Sequence, residues 1–365
     1  MASVRMSGEL RDKIFKNFER QLYKIYENNS GLQDYLKSVL ESFYSVEERQ
    51  LMQDYLEVHE RLFRMKYPKK NHEKFSSKKY FGMTYGSTAT DFNWVRKVHF
   101  VTSGQKPEWL NIDHPKLNMV SHKDYIPEEY LPVFNSNLIE IYLHKIPGLS
   151  EQFVYFNDDF FITNHLNPTR FFENGLPKDI AAFRKNTGIS QFEKMLKNNI
   201  RLINKHFDKR EVFKRDAWKW YEPSYGSRGR LNYLLKFYNK FITLRTPHNA
   251  QPYLKSTFED VWANCETELT EMSHHRFRSN DDYTPELFRT WQICSSNFVP
   301  FNTYEDAKMF PLMIKSRKAI KAVREQTYSL VCLNDNVHIR NYEQTMEKIK
   351  SSFEAILPEK SSFEI

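Results

Sequence analysis

No run of about 18 apolar residues occurs anywhere in this 365-residue chain, and its N-terminus is charged from Arg5 onward, so neither a transmembrane helix nor a signal peptide is expected. Cysteine is scarce. Cys265, Cys294 and Cys332 are odd in number, far apart and in no metal-ligand spacing, which argues against a disulfide framework and a zinc site and fits a reducing compartment. Gly-rich phosphate loops, a Ser-nucleophile elbow and an HExxH pattern are all missing, and those enzyme classes are set aside. A long Lys/Arg block is missing too, although the net charge is +8. The 54 basic and 46 acidic residues are interspersed, so the charge suits an anionic partner such as a sugar nucleotide, an acidic membrane face or an acidic polymer, and nucleic acid is not expected.

Aromatic residues are plentiful, at 15% with 29 Phe and 21 Tyr, and 40% of the chain is apolar, enough to bury a substantial core. Residues 8 to 67 carry apolar positions at helical spacing, including Leu10, Ile14, Phe18 and Leu22. Ser45 and Glu48 form a capping box for the third of three helices read there. This helical extension, 1–67, either packs on the main domain or docks on a partner or membrane surface. A polar linker follows over 68–93. From Val95 the pattern alternates like a strand up to Thr102, and Leu117 to Val120 reads as a second strand. Asn137 is placed as the cap of a helix over Leu138–Lys145, with Glu140 at its third position and Gly148 beyond its end. A strand from Phe153 comes next. Further helices are read over Ser190–Phe207, with an apolar stripe through Phe192, Leu196, Ile200, Ile203 and Phe207, and over Ser256–Glu271, with Pro223–Arg230 as a loop between them. The strand–helix–strand alternation predicts an α/β fold with a mixed or parallel sheet covered by helices.

Three clusters could carry chemistry. Asn157, Asp158 and Asp159 interrupt an apolar, aromatic run at a strand end, where a carboxylate needs a cation, a proton or a hydrogen-bonding substrate. They are hard oxygen ligands for a divalent ion, or simply a solvated turn. His248 lies between Pro247 and Pro252 in a rigid loop and is either a general base or an ordinary exposed histidine. Arg276 and Arg278 with Asp281 and Asp282 could grip phosphate, or form a charged surface turn. Near the C-terminus, Leu330–Leu333 repeats the first design as an apolar strand running into Asn334, Asp335 and Asn336.

In this order the clusters resemble the Stealth family of sugar-phosphate transferases. The resemblance runs from Trp94 through Thr102 to Leu110, from Leu131 to Glu140, from His144 to Ser150 and over Tyr155–Asp159. It resumes at Pro247-His248, Leu254–Glu259, His275–Arg278 with Asp281-Asp282, Cys332–Asp335 and Pro358–Glu364, so it covers residues 94–365. It implies a Rossmann-like, glycosyltransferase-type core and the transfer of a sugar 1-phosphate from a nucleotide sugar, UDP-linked, to a hydroxyl of an oligo- or polysaccharide acceptor. The bacterial capsule and exopolysaccharide branch is the nearest. On this resemblance Asp158 and Asp159 hold Mg²⁺ or Mn²⁺ and the donor diphosphate, His248 deprotonates the acceptor, and Arg276 and Arg278 bind phosphoryl oxygens. Asn135, Ser136, Asn157, Asp282, Asn334 and Asp335 bind donor or acceptor, or support the residues that do. The expected setting is cytoplasmic, with peripheral membrane or biosynthetic-complex contact through residues 1–67.

The family's first block, a strand ending in a Trp-Val-Asp-Gly-like signature followed by an Arg-bearing helix, has no legible counterpart here. Tyr85–Asp91 occupies the place where that helix should end. The alternatives are therefore a catalytically impaired member serving as a binding or assembly subunit, and an ordinary glycosyltransferase that releases UDP.

Overall fold

The computed structural model describes residues 94–334, 339 and 341–365 and, within these, all side chains but those of Met313 and Ile314. The helices expected over 1–67, the linker over 68–93 and Asp335 lie outside the described residues. In chain order the elements are β1 (Val98–Thr102), β2 (Leu117–Ser121), α1 (Ser136–Ile141), β3 (Gln152–Tyr155), β4 (Phe160–Ile162), β5 (Phe172–Glu173) and β6 (Leu176–Asp179). There follow α2 (Gln191–His206), α3 (Lys209–Trp220), α4 (Arg230–Leu234), β7 (Gln251–Leu254), α5 (Lys255–Asn264), α6 (Glu266–Ser273) and α7 (Glu286–Cys294). The chain closes with β8 (Val299–Pro300), β9 (Ala307–Pro311), α8 (Leu312–Arg324), β10 (Leu330–Asn334) and α9 (Tyr342–Ile356).

The architecture is mixed α/β, as the alternation predicts. β1 and β2 pair in parallel, with Val98 opposite Leu117. β10 lies between β4 and β9, antiparallel to the first and parallel to the second. β3 and β7 are antiparallel with Tyr155 facing Gln251, and β6 lies between β5 and β8. Among the described residues the strands thus form four small sheets, and the site below lies where two of them meet. No described helix is long and apolar enough to cross a membrane.

Local chemistry explains most boundaries, and it corrects three expectations. The cap of α1 is Asn135 and not Asn137: the Asn135 side chain accepts from the Asn137 N–H at 3.1 Å, one of the donors a helix start leaves unpaired. Gly148 follows the end of this helical segment at φ +76°, a left-handed conformation that only glycine adopts without strain. The expected single helix over Ser256–Glu271 is two, because Cys265 leaves the helical region at φ −129°, ψ 28°. Pro223–Arg230 is a run of 3-10 turns leading into α4, where a loop was expected. α2 is where the periodicity places it, capped by Ser190, whose hydroxyl accepts from the Glu193 N–H. Its buried stripe nevertheless runs through Met195, Leu196, Asn199, Leu202 and Ile203, while Phe192 is 44% exposed. Asn199 can be buried because Thr284 takes both ends of its amide, at 2.8 and 3.1 Å.

The main core gathers α1, α2, α5, α6, α7 and β7, with Phe258 stacked on Phe288 at 4.1 Å and Trp220 enclosed by Phe183, Phe213 and Phe241. Each such ring contributes about 1.5–3 kcal/mol on burial. His144 is also inside, 2% exposed, near the rings of Phe258 and Trp262. Burial pushes its pKa down to about 4, so the folded protein keeps it neutral while the unfolded chain protonates it near 6.5. Its contribution is complete above pH 6.5 and is lost as pH falls toward 4, about 3 kcal/mol in all. Urea midpoints measured at pH 7 and pH 4.5 should therefore differ less in His144→Leu than in the unaltered protein. Equal differences would mean that His144 protonates without cost.

Candidate active site

The Asn157–Phe160 segment is a β-turn, with the Phe160 N–H donating to the Asn157 carbonyl at 3.2 Å. Asn and Asp suit such a turn, but this one does more than reverse the chain. β3 before it pairs with β7, and β4 after it pairs with β10, so the turn passes from one sheet to the other. Asp158 is thereby left exposed and Asp159 half-buried at the junction. The same pairings bring in two distant segments. β7 starts opposite Tyr155, which places the preceding His248 loop beside the turn, and the Leu333 N–H donates to the Asp159 carbonyl at 2.9 Å.

One carboxylate oxygen of Asp159 collects all the contacts. Its Oδ2 lies 3.4 Å from His248 Nε2 and accepts from the Cys332 thiol at 3.2 Å and, at the long limit of 3.5 Å, from the Asn334 amide. His248 packs edge-on against Phe160 at 5.0 Å, with its side chain 42% exposed. The electrostatics follow. Burial opposes ionisation of Asp159, yet His248, Cys332 and Asn334 outweigh it and hold the carboxyl below its usual range. For His248 burial again disfavours the charge, but Asp159, with Glu286 and Glu140 further off, raises the pKa above its ordinary value.

Asp159 Oδ1, by contrast, is buried and has no hydrogen-bond partner among the described residues. An ionised carboxylate oxygen shut away from water needs a donor or a cation. A hard divalent ion of the magnesium or manganese type would suit that oxygen, whereas the exposed Asp158 carboxylate, expected as its partner ligand, turns to the cleft described below and not to this group. The ligand atoms of Asp159, His248 and Cys332 also lie within 4.8 Å of one another.

A second cluster adjoins the first. Ser136 and Glu140, four residues apart, share a face of α1. The Arg278 guanidinium donates to the Ser136 hydroxyl, and the Tyr155 hydroxyl donates to the Asn157 amide oxygen. Glu140 keeps a solvent-facing edge but is closely surrounded, and burial raises its pKa to about 7 even though Arg278, Tyr155 and His248 pull it down. Ser136, Glu140, Tyr155, Asn157 and Asp158 line one cleft of about 840 Å³ whose far wall includes Arg96 and Lys97. Asp158 thus faces this cleft, while Asp159 and His248 lie on the other side of the turn, coupled to it through the charge of Glu140.

Other residues singled out in the sequence stand behind these. Asn135 and Asp282 are fully buried and bonded to each other at 2.8 Å; Asp282 also takes His275 Nδ1 at 2.7 Å and the Ser279 N–H at 2.9 Å. They fix the loop that carries Arg276 and Arg278, whose carbonyls accept from Phe134 N and the Gln191 amide. Glu140 escaped the sequence reading, which gave it only a place in a helix. The available signal was its spacing of four from Ser136, which sets the two on one face.

Residues 74–179 match the family profile described as Stealth protein CR2, conserved region 2. The chain is 35% identical over 271 residues to a capsular polysaccharide phosphotransferase of Streptococcus pneumoniae, a match that covers 74% of this chain and 82% of the relative. It is 36% identical to an exopolysaccharide phosphotransferase of Lactiplantibacillus plantarum, over 74% and 80% of the two chains. It is 37% identical to a receptor polysaccharide phosphotransferase of Streptococcus gordonii, over 74% and 82%.

Proposed function

The chain belongs to the Stealth family, and from that premise we propose that it transfers a sugar 1-phosphate from a UDP-linked sugar to a hydroxyl of a saccharide acceptor, releasing UMP, in capsular or exopolysaccharide synthesis. The observation that carries this reading is the Asp159–His248 pair, in which one carboxylate oxygen orders the imidazole and the other is left for a cation. With Nε2 turned to Asp159, His248 Nδ1 takes the proton of the acceptor hydroxyl. The acceptor oxygen then bonds to the phosphorus that carries the sugar, and the bond from that phosphorus to the bridging oxygen breaks, so UMP departs with the electron pair. Arg276 and Arg278 bind the phosphoryl oxygens, and Ser136 and Glu140 hold the Arg278 guanidinium in place. Asp159, through its Oδ1, would hold Mg²⁺ or Mn²⁺, which would supply charge neutralisation for the diphosphate and its leaving group, and Asp158 would meet the donor from the cleft side of the turn. Asn157 and Asn334 border the same turn and would orient donor or acceptor.

The test is direct. The pure protein, incubated with UDP-sugars, Mg²⁺ and an oligosaccharide acceptor, should form UMP in step with phosphodiester product, and chelation with EDTA should stop it. Release of UDP would overturn the reading in favour of glycosyl transfer, and calorimetry showing no metal-dependent donor binding would favour a binding or assembly subunit.

A further inference from the structure

From Pro223 to Phe258 the chain contains no aspartate or glutamate, while Arg228, Arg230, Lys236, Lys240, Arg245 and Lys255 fall within it. In the middle of this stretch α4 and the turn after it expose a compact set of large side chains. Tyr233, Leu234, Phe237 and Tyr238 are 57%, 77%, 88% and 51% exposed. Arg230, Lys236 and Lys240 beside them are exposed as well. Isolated exposed apolar residues need no explanation, but four within six positions, in an acid-free cationic stretch, do.

The feature is also held in shape. Lys209, 2% exposed, spends its ammonium on the carbonyls of Leu235 and Tyr238 at 2.7 and 2.6 Å. The Tyr233 hydroxyl donates to the Tyr221 carbonyl at 3.0 Å, with the two rings 4.8 Å apart. A buried lysine tied to backbone carbonyls fixes the turn, so the outward direction of Leu234 and Phe237 is set before any partner arrives.

We propose that this face docks on an anionic lipid bilayer. Leu234 and Phe237 enter the boundary between headgroups and acyl chains, Tyr233 and Tyr238 sit at headgroup level, and Arg230, Lys236 and Lys240 meet lipid phosphates. Apolar tips, amphipathic tyrosines and flanking cations within an acid-free stretch of chain are the composition such an interface selects, the nearest exposed acids, Asp208 and Glu211, belonging to the start of α3 beside Lys209. A second copy of this chain is a poorer occupant, because a two-fold contact would set the same cations against each other. The inference does not depend on the chemistry assigned to the Asp159 site.

Flotation of the full chain with vesicles of phosphatidylcholine, with and without phosphatidylglycerol, tests it. Binding should need the anionic lipid and weaken with salt. Leu234→Ser with Phe237→Ser should lower partitioning roughly a hundredfold, and Lys236→Gln with Lys240→Gln roughly tenfold. Thermal midpoints should not change, since these side chains are exposed. Equal binding to neutral vesicles, no binding at all, or binding that neither pair of substitutions affects would overturn the proposal. So would a concentration-dependent dimer, seen without lipid, that the serine pair dissolves.

Discussion

Replacing His248 by alanine is expected to lower kcat by about 10²–10⁴-fold, the usual worth of a positioned acid–base group, while leaving the protein folded. Its side chain is 42% exposed and touches chiefly Phe160 and Asp159, so little packing is lost. UMP formation at saturating donor, with the thermal midpoint as control, measures this. A variant that keeps more than about a tenth of the rate would remove the imidazole from the proton transfer. The pH profile supplies a second check. A base must be neutral, so kcat/KM rises with pH through the His248 pKa, which burial would lower but which Asp159, then Glu286 and Glu140, raise above the ordinary value. Asp159→Asn removes the partner that raises it most, and the acid limb of whatever rate remains should move to lower pH. A limb that stays in place would assign it to another group.

The largest loss of stability is expected from Arg289, which is fully buried with Asp179. Two guanidinium nitrogens of Arg289 donate to the two Asp179 oxygens at 2.7 Å each. Arg289 also donates to the carbonyls of Arg245 and Ile180 and to Glu286. Asp179 accepts from the Gln251 amide at 2.9 Å as well. One ion pair therefore ties β6, α7, the start of β7 and the segment leading to His248. Arg289→Met leaves a buried carboxylate without its counter-charge and should cost about 3–5 kcal/mol in urea denaturation. Adding Asp179→Leu should recover part of that, because the cost lies mainly in the uncompensated charge and less in the lost contact. A loss below about 1 kcal/mol would place the pair among those the solvent screens.

Much of the framework could be read locally. Helix α2, the strands at Val98, Leu117, Gln152 and Leu330, and the mixed α/β class all follow from spacing and turn chemistry. The repetition of an Asn/Asp cluster after two apolar strands was also visible, and the structure gives it meaning, since β10 runs beside β4 and brings Asn334 to Asp159. The errors share a cause. Asn137 and Asn135 are equally good caps by residue type, and only the buried bond from Asn135 to Asp282 selects the earlier one. The apolar stripe of α2 is displaced because Thr284 makes it possible to bury Asn199, an exchange no periodicity records.

The sequence by itself determined the candidate side chains, Glu140 excepted, and most of the elements on which they stand, because backbone preference, capping and apolar spacing are decided by near neighbours along the chain. Only the tertiary structure decided how they are arranged. The turn at Asn157–Phe160 passes between two sheets, so Asp158 turns to an open cleft and Asp159 to His248, Cys332 and Asn334. Burial then raises the Glu140 pKa to about 7 and encloses Asp159 Oδ1 without a partner among the described residues. Ionisation and desolvation depend on what packs around a group in space, and residues far apart in the chain supply that surrounding.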